Sequence, residues 1–453
     1  MKPCLLVHAL KNRHFLALSP CRDLLSTVVG MEPHSVLSLD QIDLSDIDFW
    51  ARPWTEREGA FELLRRERPM PFYDEPFDET SPIPLPVGPG YYALTTHKDV
   101  TEVSRNPDIY CSGKGAVSMT DLPEEMVEYF SGMISTDNPR HARLRRIVSN
   151  AFNPRRVQAI EDSIETVAHD VVATAKKEGG CDFVVDVAAP LPLKIICDMM
   201  GVPESQYETV FRCSNVILSM GDPEYVSDMH PIEAFLAAGA ELMGIMQELG
   251  VYRRENPIDD VTSALVNSSI DGESLTDQEL ASFFILLVTA GNETTRTAIA
   301  HGLNVLTENP EQKALWRSDV PKYTKTAVEE IVRWASPVIW MRRTLTQDAI
   351  LSGIELKKND KVILFYNSAN RDAEVFDDPF RFDITRDPNP HLGFGAAGPH
   401  FCLGAHLARR EIGVMFRELF DQVPNIEATG EAVQLRSSFV NGIKHLPCEF
   451  NLT

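Results

Sequence analysis

Between Thr276 and Glu308 the chain carries no proline, and Asn309-Pro310 ends the run. Thr276-Asp277-Gln278-Glu279 has the form of a capping box, a hydroxyl followed three residues later by a carboxylate, so a helix is expected to begin there. Roughly thirty residues of helix span ~45–50 Å. A helix that long crosses a protein of 453 residues, so its middle must be buried. Yet the middle reads Ala290-Gly291-Asn292-Glu293-Thr294-Thr295. Polar groups at a buried helix centre cost free energy unless they are partnered. A mid-helix threonine can also bond the carbonyl four residues back, here that of Ala290, and open the helix locally.

The second constraint lies near the C-terminus. Phe394-Gly395-Ala396-Ala397-Gly398-Pro399-His400-Phe401-Cys402-Leu403-Gly404 is a glycine-rich loop presenting one cysteine, and helix-forming residues come directly after it. Glycines give backbone torsions and close approach that side chains block. Cys402 is thus expected where a helix begins, where N–H groups and partial positive charge favour thiolate over thiol. A flat partner could lie on the bare glycine backbone while the sulfur bonds its metal. A small buried hydrophobe, or a nucleophile near a histidine, is the alternative reading of the same cysteine.

Two side-chain pairs stand at helical spacing. Glu330 and Arg333 are three apart, and His141 and Arg145 are four apart on one face. Such pairs are common on surfaces and usually contribute little. They gain meaning from their order with the other two features.

That order, H-x-x-x-R, A-G-x-E-T-T, E-x-x-R and then the cysteine loop, resembles the cytochrome P-450 superfamily from about residue 40 to the end. The resemblance implies a mostly α fold with a minor β subdomain, and haem b held by Cys402 as axial iron ligand. Ala290, Gly291, Phe394, Gly395 and Gly404 would lie against the haem. His141, Arg145, His400 and Arg343 would meet its propionates, because cationic donors suit buried carboxylates. Thr294 would orient or donate a proton for oxygen activation, with Glu293 as its acid. Glu330, Arg333 and Arg381 would form a network locking the loop that delivers Cys402. One departure is visible: Phe394 to Cys402 holds one residue more than the usual loop. That insertion, Trp334-Ala335-Ser336-Pro337-Val338 and Asn370-Arg371-Asp372 resemble an actinobacterial branch that oxidises methyl-branched lipids and sterol side chains at a terminal carbon. Phe283, Leu287, Val338, Ile339 and Phe439 would then line an apolar substrate pocket.

Composition bounds the rest. A net charge of -23 argues against nonspecific nucleic-acid binding and suits a cytoplasmic protein. The one anomaly is residues 140–156, with six arginines and no acid, a surface on which an acidic ferredoxin is expected to dock. The eight cysteines show no paired spacing, which fits a reducing compartment. The best apolar run, Phe283 to Ala290, is too short to cross a membrane, which takes ~20 residues. Residues 1–30 differ in character from the rest of the chain and are expected to be a disordered extension ahead of one domain over 31–453, a monomer.

The expected function is therefore insertion of one oxygen atom from dioxygen into a lipid-like substrate. Electrons come indirectly from NAD(P)H through a ferredoxin reductase and a ferredoxin. Terminal hydroxylation of a methyl-branched lipid leads, and a sterol side chain is the alternative. A noncatalytic haem-thiolate sensor, or a peroxide-driven relative, would not need the Glu293-Thr294 pair.

Overall fold

The computed structural model describes residues 33–450 except 84–85, 152–153, 220, 227–228 and 268–273, so the extension expected over 1–30 lies outside the described residues. The long helix runs Asp277–Glu308 and its capping box is closed in both directions. The Glu279 N–H donates to the Thr276 hydroxyl and the Thr276 N–H to the Glu279 carboxylate, each at 3.1 Å. Its two halves belong to different cores. Residues 280–288 pack with Ile147, Ile196 and Leu242, whereas residues 298–306 pack with Val328, Met415 and Phe416. The polar centre falls on the seam between them, which is how so long an apolar helix accommodates it.

Other helices surround this one. Prolines open them: Pro154–Lys176, Pro190–Met200 and Pro231–Glu255 each begin at proline, where a missing N–H loses no helical bond. Residues 111–135 read as loop, but Glu124–Ser131 is helical. Pro123 and the two acids of its first turn mark that start, which the mixed composition hid. Pro231–Glu255 is long and apolar enough by length and composition to cross a membrane, an exception to the sequence expectation. In the structure it packs along the long helix and along Tyr207–Ser219.

The main sheet has five strands in the order Phe72–Tyr73, Tyr91–Leu94, Lys361–Phe365, Trp340–Leu345, Tyr110–Cys111. Lys361–Phe365 is buried throughout and pairs parallel with Tyr91–Leu94 and antiparallel with Trp340–Leu345. Alternation along Trp340–Leu345 sends Arg342 to Asp121 at 2.7 Å and turns Arg343 to the opposite face. A small sheet joins Gly180–Asp182, Pro447–Glu449 and Glu427–Ala428.

The loop carrying Cys402 is fixed from a distance. Arg333 grips Glu330 with two parallel bonds, Nε to Oε2 at 2.7 Å and Nη2 to Oε1 at 2.8 Å, both side chains fully buried. Its remaining donors reach the carbonyls of Asn370 at 3.0 Å, Pro379 at 2.8 Å and Arg381 at 3.3 Å. Arg381 was expected to add its side chain. It gives only that carbonyl, while its guanidinium pairs with Asp383 at 3.2 Å on the surface. The arginine that reaches Glu330 is Arg386, at 3.3 Å, with Asn389 beside it at 3.0 Å. Two turns lie between, with the Arg381 N–H bonded to the Asp378 carbonyl at 3.1 Å and the Arg386 N–H to the Asp383 carbonyl at 3.1 Å.

One ionic clip joins the C-terminal hairpin to two other segments. His445 meets Asp182 at 2.5 Å through Nδ1 and Glu224 at 2.8 Å through Nε2. Asp182 and then Glu224 hold the imidazolium up at about 9, against burial. A folded pKa above the unfolded one gives stability that is complete below the unfolded value and lost as pH rises through the folded value. In thermal unfolding, His445→Gln should therefore melt below the wild type near pH 6, with the difference closing by about pH 10. A pH-independent difference would show that the clip is not ionic.

Candidate active site

The seam opens into a cavity of about 420 Å³. One wall is the long helix, contributing Phe283, Leu287, Ala290, Gly291 and Thr294. The Thr294 hydroxyl donates to the Ala290 carbonyl at 2.6 Å, so its lone pairs face the cavity. Glu293 is turned the other way. It does not line the cavity but pairs with Arg296 on its own helix, both almost wholly buried. Arg296 also donates to the Asn215 side chain at 3.0 Å. Among the described residues, Glu293 Oε1, Asn292 Oδ1 and Thr297 Oγ1 have no protein partner.

The opposite wall is the cysteine loop. Gly395 takes φ 80, and a Cβ at Gly398 would stand 2.6 Å from the Ser104 carbonyl, so both positions need glycine. The Cys402 N–H donates to the Phe394 carbonyl at 3.0 Å, closing the turn. Phe394, Gly395, Cys402 and Gly404 all line the cavity. Cys402 has open surface, but that surface faces the cavity, and burial pushes the thiol up. The Gly404 N–H, Arg145 and Arg409 pull it back only in part. The helix Ala405–Gln422 starts three residues too late, and one amide reaches the sulfur. A metal cation would complete the balance, since a coordinating thiol is deprotonated outright.

A third wall gathers positive charge. The rings of His141 and His400 lie 4.2 Å apart, and Arg343 and Arg145 line the same cavity. Burial, then Arg343, His141 and Arg145, drive His400 down to about 3. His141 falls for the same reasons, burial first and Arg145 next. Burial also lowers Arg343. Arg145 already has partners, the carbonyls of Pro399 at 3.0 Å and Phe401 at 2.8 Å, so it holds the loop as well. A wall that suppresses its own cations is complementary to carboxylates. A flat group with a metal for the sulfur and acids for this wall fits the residues present.

Val338 lines the cavity, but Ile339 and Phe439 do not. They join each other through a backbone bond of 2.8 Å and pack in the core with Trp340. A residue that sequence reading missed is Glu411. It lines the cavity, is 3 % exposed, has an unpartnered Oε2, and burial pushes it up to about 8. Its neighbours Arg409 and Arg410 give no local sign that it faces inward. The arginines of 140–156 are answered in space though not in sequence: Arg140 pairs with Glu128 at 2.6 Å, Arg143 with Glu279 at 2.5 Å, and Arg156 with Asp259 at 2.8 Å.

Comparison with known proteins agrees with this architecture. The family model described as cytochrome P-450 matches residues 237–422. The chain is 48 % identical, over 93 % of its own length and 98 % of the relative's, to a protein of Mycobacterium tuberculosis named "Methyl-branched lipid omega-hydroxylase". It is 40 % identical, over 80 % of its length and 84 % of the relative's, to the "Steroid C26-monooxygenase" of Mycolicibacterium smegmatis. A solved Mycobacterium marinum cytochrome P-450 in complex with pseudoionone superposes with a TM-score of 0.86 at 42 % identity, covering 92 % of this chain and all of that one. A cavity that joins a cysteine, a cationic wall and an opened helix, and likeness over nearly the whole length of such relatives, have one explanation: the chain belongs to the cytochrome P-450 family, the haem-thiolate monooxygenases.

Proposed function

We propose that this enzyme hydroxylates a terminal methyl group of a methyl-branched lipid. The observation that carries the reading is the likeness to the omega-hydroxylase over 98 % of that relative's length. The apolar stripe of Phe283, Leu287 and Val338 along the cavity supports it. A sterol side chain is the second reading, favoured by the steroid monooxygenase at 40 % identity.

Cys402 Sγ would hold the haem iron, and His141, Arg343 and His400, with Arg145, would hold its propionates. When bound, the haem supplies dioxygen binding and activation, with the thiolate favouring O–O cleavage. The protein's own residues do the rest. The Ala290–Thr294 bond uses the Thr294 proton as a tether and leaves Oγ1 able to accept another. Proton delivery then needs Thr294 Oγ1 to hold a donor in place, with Glu293 Oε1 as the acid end of the relay. Because Glu293 is held by Arg296 away from the cavity, the relay includes water or a turn of the carboxylate. The apolar stripe excludes bulk water and restrains the chain, because a terminal C–H is stronger than its neighbours and only positioning favours it. Electrons come from NAD(P)H by way of a ferredoxin, which meets the face carrying Arg146 and Arg155.

Three outcomes are expected. Reduced wild type with carbon monoxide should show the red-shifted Soret band of thiolate-ligated haem, and Cys402→Ala should lose it; a retained band removes Cys402 as ligand. Thr294→Ala should still bind haem and substrate, but product formation should fall by about 10²–10⁴-fold as reducing equivalents leave as peroxide. Unchanged coupling would take Thr294 out of the relay. Mass spectrometry of products from branched isoprenoid acids, straight-chain fatty acids and sterols should show terminal hydroxylation with the branched acids turned over fastest. Mainly in-chain products overturn the proposal, and sterols turned over fastest select the second reading.

A further inference from the structure

The sequence scatters its cysteines, but the fold brings two of them together. Cys181 and Cys448 are direct partners in the antiparallel register of Gly180–Asp182 and Pro447–Glu449. Their Sγ atoms stand 3.6 Å apart. Directly opposed antiparallel residues have Cα atoms about 4.5–5.5 Å apart, within the ~4.4–6.8 Å that a disulfide accepts. Closure therefore asks for side-chain rotation and not for movement of the strands. Cys448 is 3 % exposed and Cys181 is partly open.

We propose that Cys181 and Cys448 are a latent disulfide, closed by hydrogen peroxide and reopened by thiols. The oxidant is one this class of enzyme releases whenever electrons reach dioxygen without reaching substrate. Cys181, the more open, reacts first. Its sulfur takes one oxygen from peroxide as the O–O bond breaks, giving a sulfenic acid and one water. The Cys448 sulfur then attacks that sulfur. The S–S bond forms, the S–O bond breaks, and the hydroxyl leaves as a second water with the Cys448 proton. Two thiols lose two electrons in all, and peroxide gains them.

Two features set the rate and the effect. The contact with Cys448, then burial, then Asp186 and Asp182, hold the Cys181 thiol protonated. The thiolate is the reactive form, so the pair closes slowly and integrates exposure over time. The closed bond spans 267 positions of chain, including the whole long helix. Cross-links over long loops constrain the unfolded chain most. The bond also pins the C-terminal strand to the strand that leads into Val184–Ala188, which packs on the long helix.

The test treats haem-loaded full-length protein with graded hydrogen peroxide, blocks free thiols with N-ethylmaleimide in denaturant, and maps peptides by mass spectrometry. A linked Cys181–Cys448 peptide pair is expected, lighter by two hydrogens than the reduced peptides and released by dithiothreitol. The oxidised protein should melt about 3–6 °C higher than the same sample after dithiothreitol. Cys181→Ser and Cys448→Ala should each lose both the linked peptide and the shift. The wild-type comparison with and without dithiothreitol stands even if a variant folds poorly. Alkylation of both cysteines at every peroxide dose, or sulfinic acid at Cys181 without a link, overturns the proposal. A linked peptide with no change in melting overturns the stapling role.

Discussion

Glu330 is a fully buried carboxylate, and the cysteine side of the cavity hangs from it. Arg333 fills both its oxygens, and the Asp383 N–H at 2.9 Å, Asn389 and Arg386 take the remaining lone pairs. A buried ion pair gains little over apolar packing, but removing one partner costs about 3–5 kcal/mol because the other charge is stranded. Such a pair is therefore poor glue and a good anchor. Arg333 in turn fixes three carbonyls ahead of the loop. Asn370, whose carbonyl it holds, accepts the Leu392 N–H at 2.6 Å through its side chain, two residues before Phe394. From there one backbone bond reaches Cys402. The sulfur's position is thus set by a chain of short polar bonds leading back to a single carboxylate.

The two sides of the cavity treat charge in opposite ways. Behind the long helix, Glu293 and Arg296 neutralise each other without help from any ligand. On the third wall His141, His400 and Arg343 line one cavity, and burial lowers the pKa of each. At Cys402 burial acts with the opposite sign and pushes the thiol up, while the Gly404 N–H, Arg145 and Arg409 pull it back in part. A dianionic group carrying a central cation removes both deficits at once. Acids for the third wall and a metal for the sulfur are what these two groups of residues suit.

The framework was legible because it rests on local rules. A capping box, proline at helix starts and glycine where torsion or contact demands it can be read without tertiary knowledge, and Thr276, Pro190 and Gly395 behave accordingly. The errors all depended on direction. Arg381 and Arg386 lie five apart around a turn, and spacing alone does not say which guanidinium faces Glu330. Ile339 and Phe439 are as apolar as Val338, yet pleating and a bridge between Val338 and Val440 turn them into the core. Glu411 hid in a charge run, and Cys181 and Cys448 are 267 positions apart, so neither left a local trace. The acids that pair with the acid-free arginine run arrive from other segments, so spacing along the chain does not show them.

The long helix also gives the proposed reaction at the end of a substrate chain a physical basis. Phe283, Leu287, Ala290 and Thr294 recur at steps of three and four, so they form one stripe along one face. From Phe283 to Thr294 that stripe runs about 16 Å. Its first part is apolar and bulky, and its last part carries only the small Ala290 and Gly291 before the Thr294 hydroxyl. A flexible chain buries most area by lying along the stripe, because apolar burial contributes in proportion to area. Lying so, it presents its tip and not its middle to the small residues opposite the cysteine loop. The same stripe bears on the proposed proton relay, since Thr294 ends it while Glu293, one residue earlier, falls on the other face. In the proposed reaction, one helix face thus governs both which carbon is near the sulfur's side of the cavity and where protons arrive.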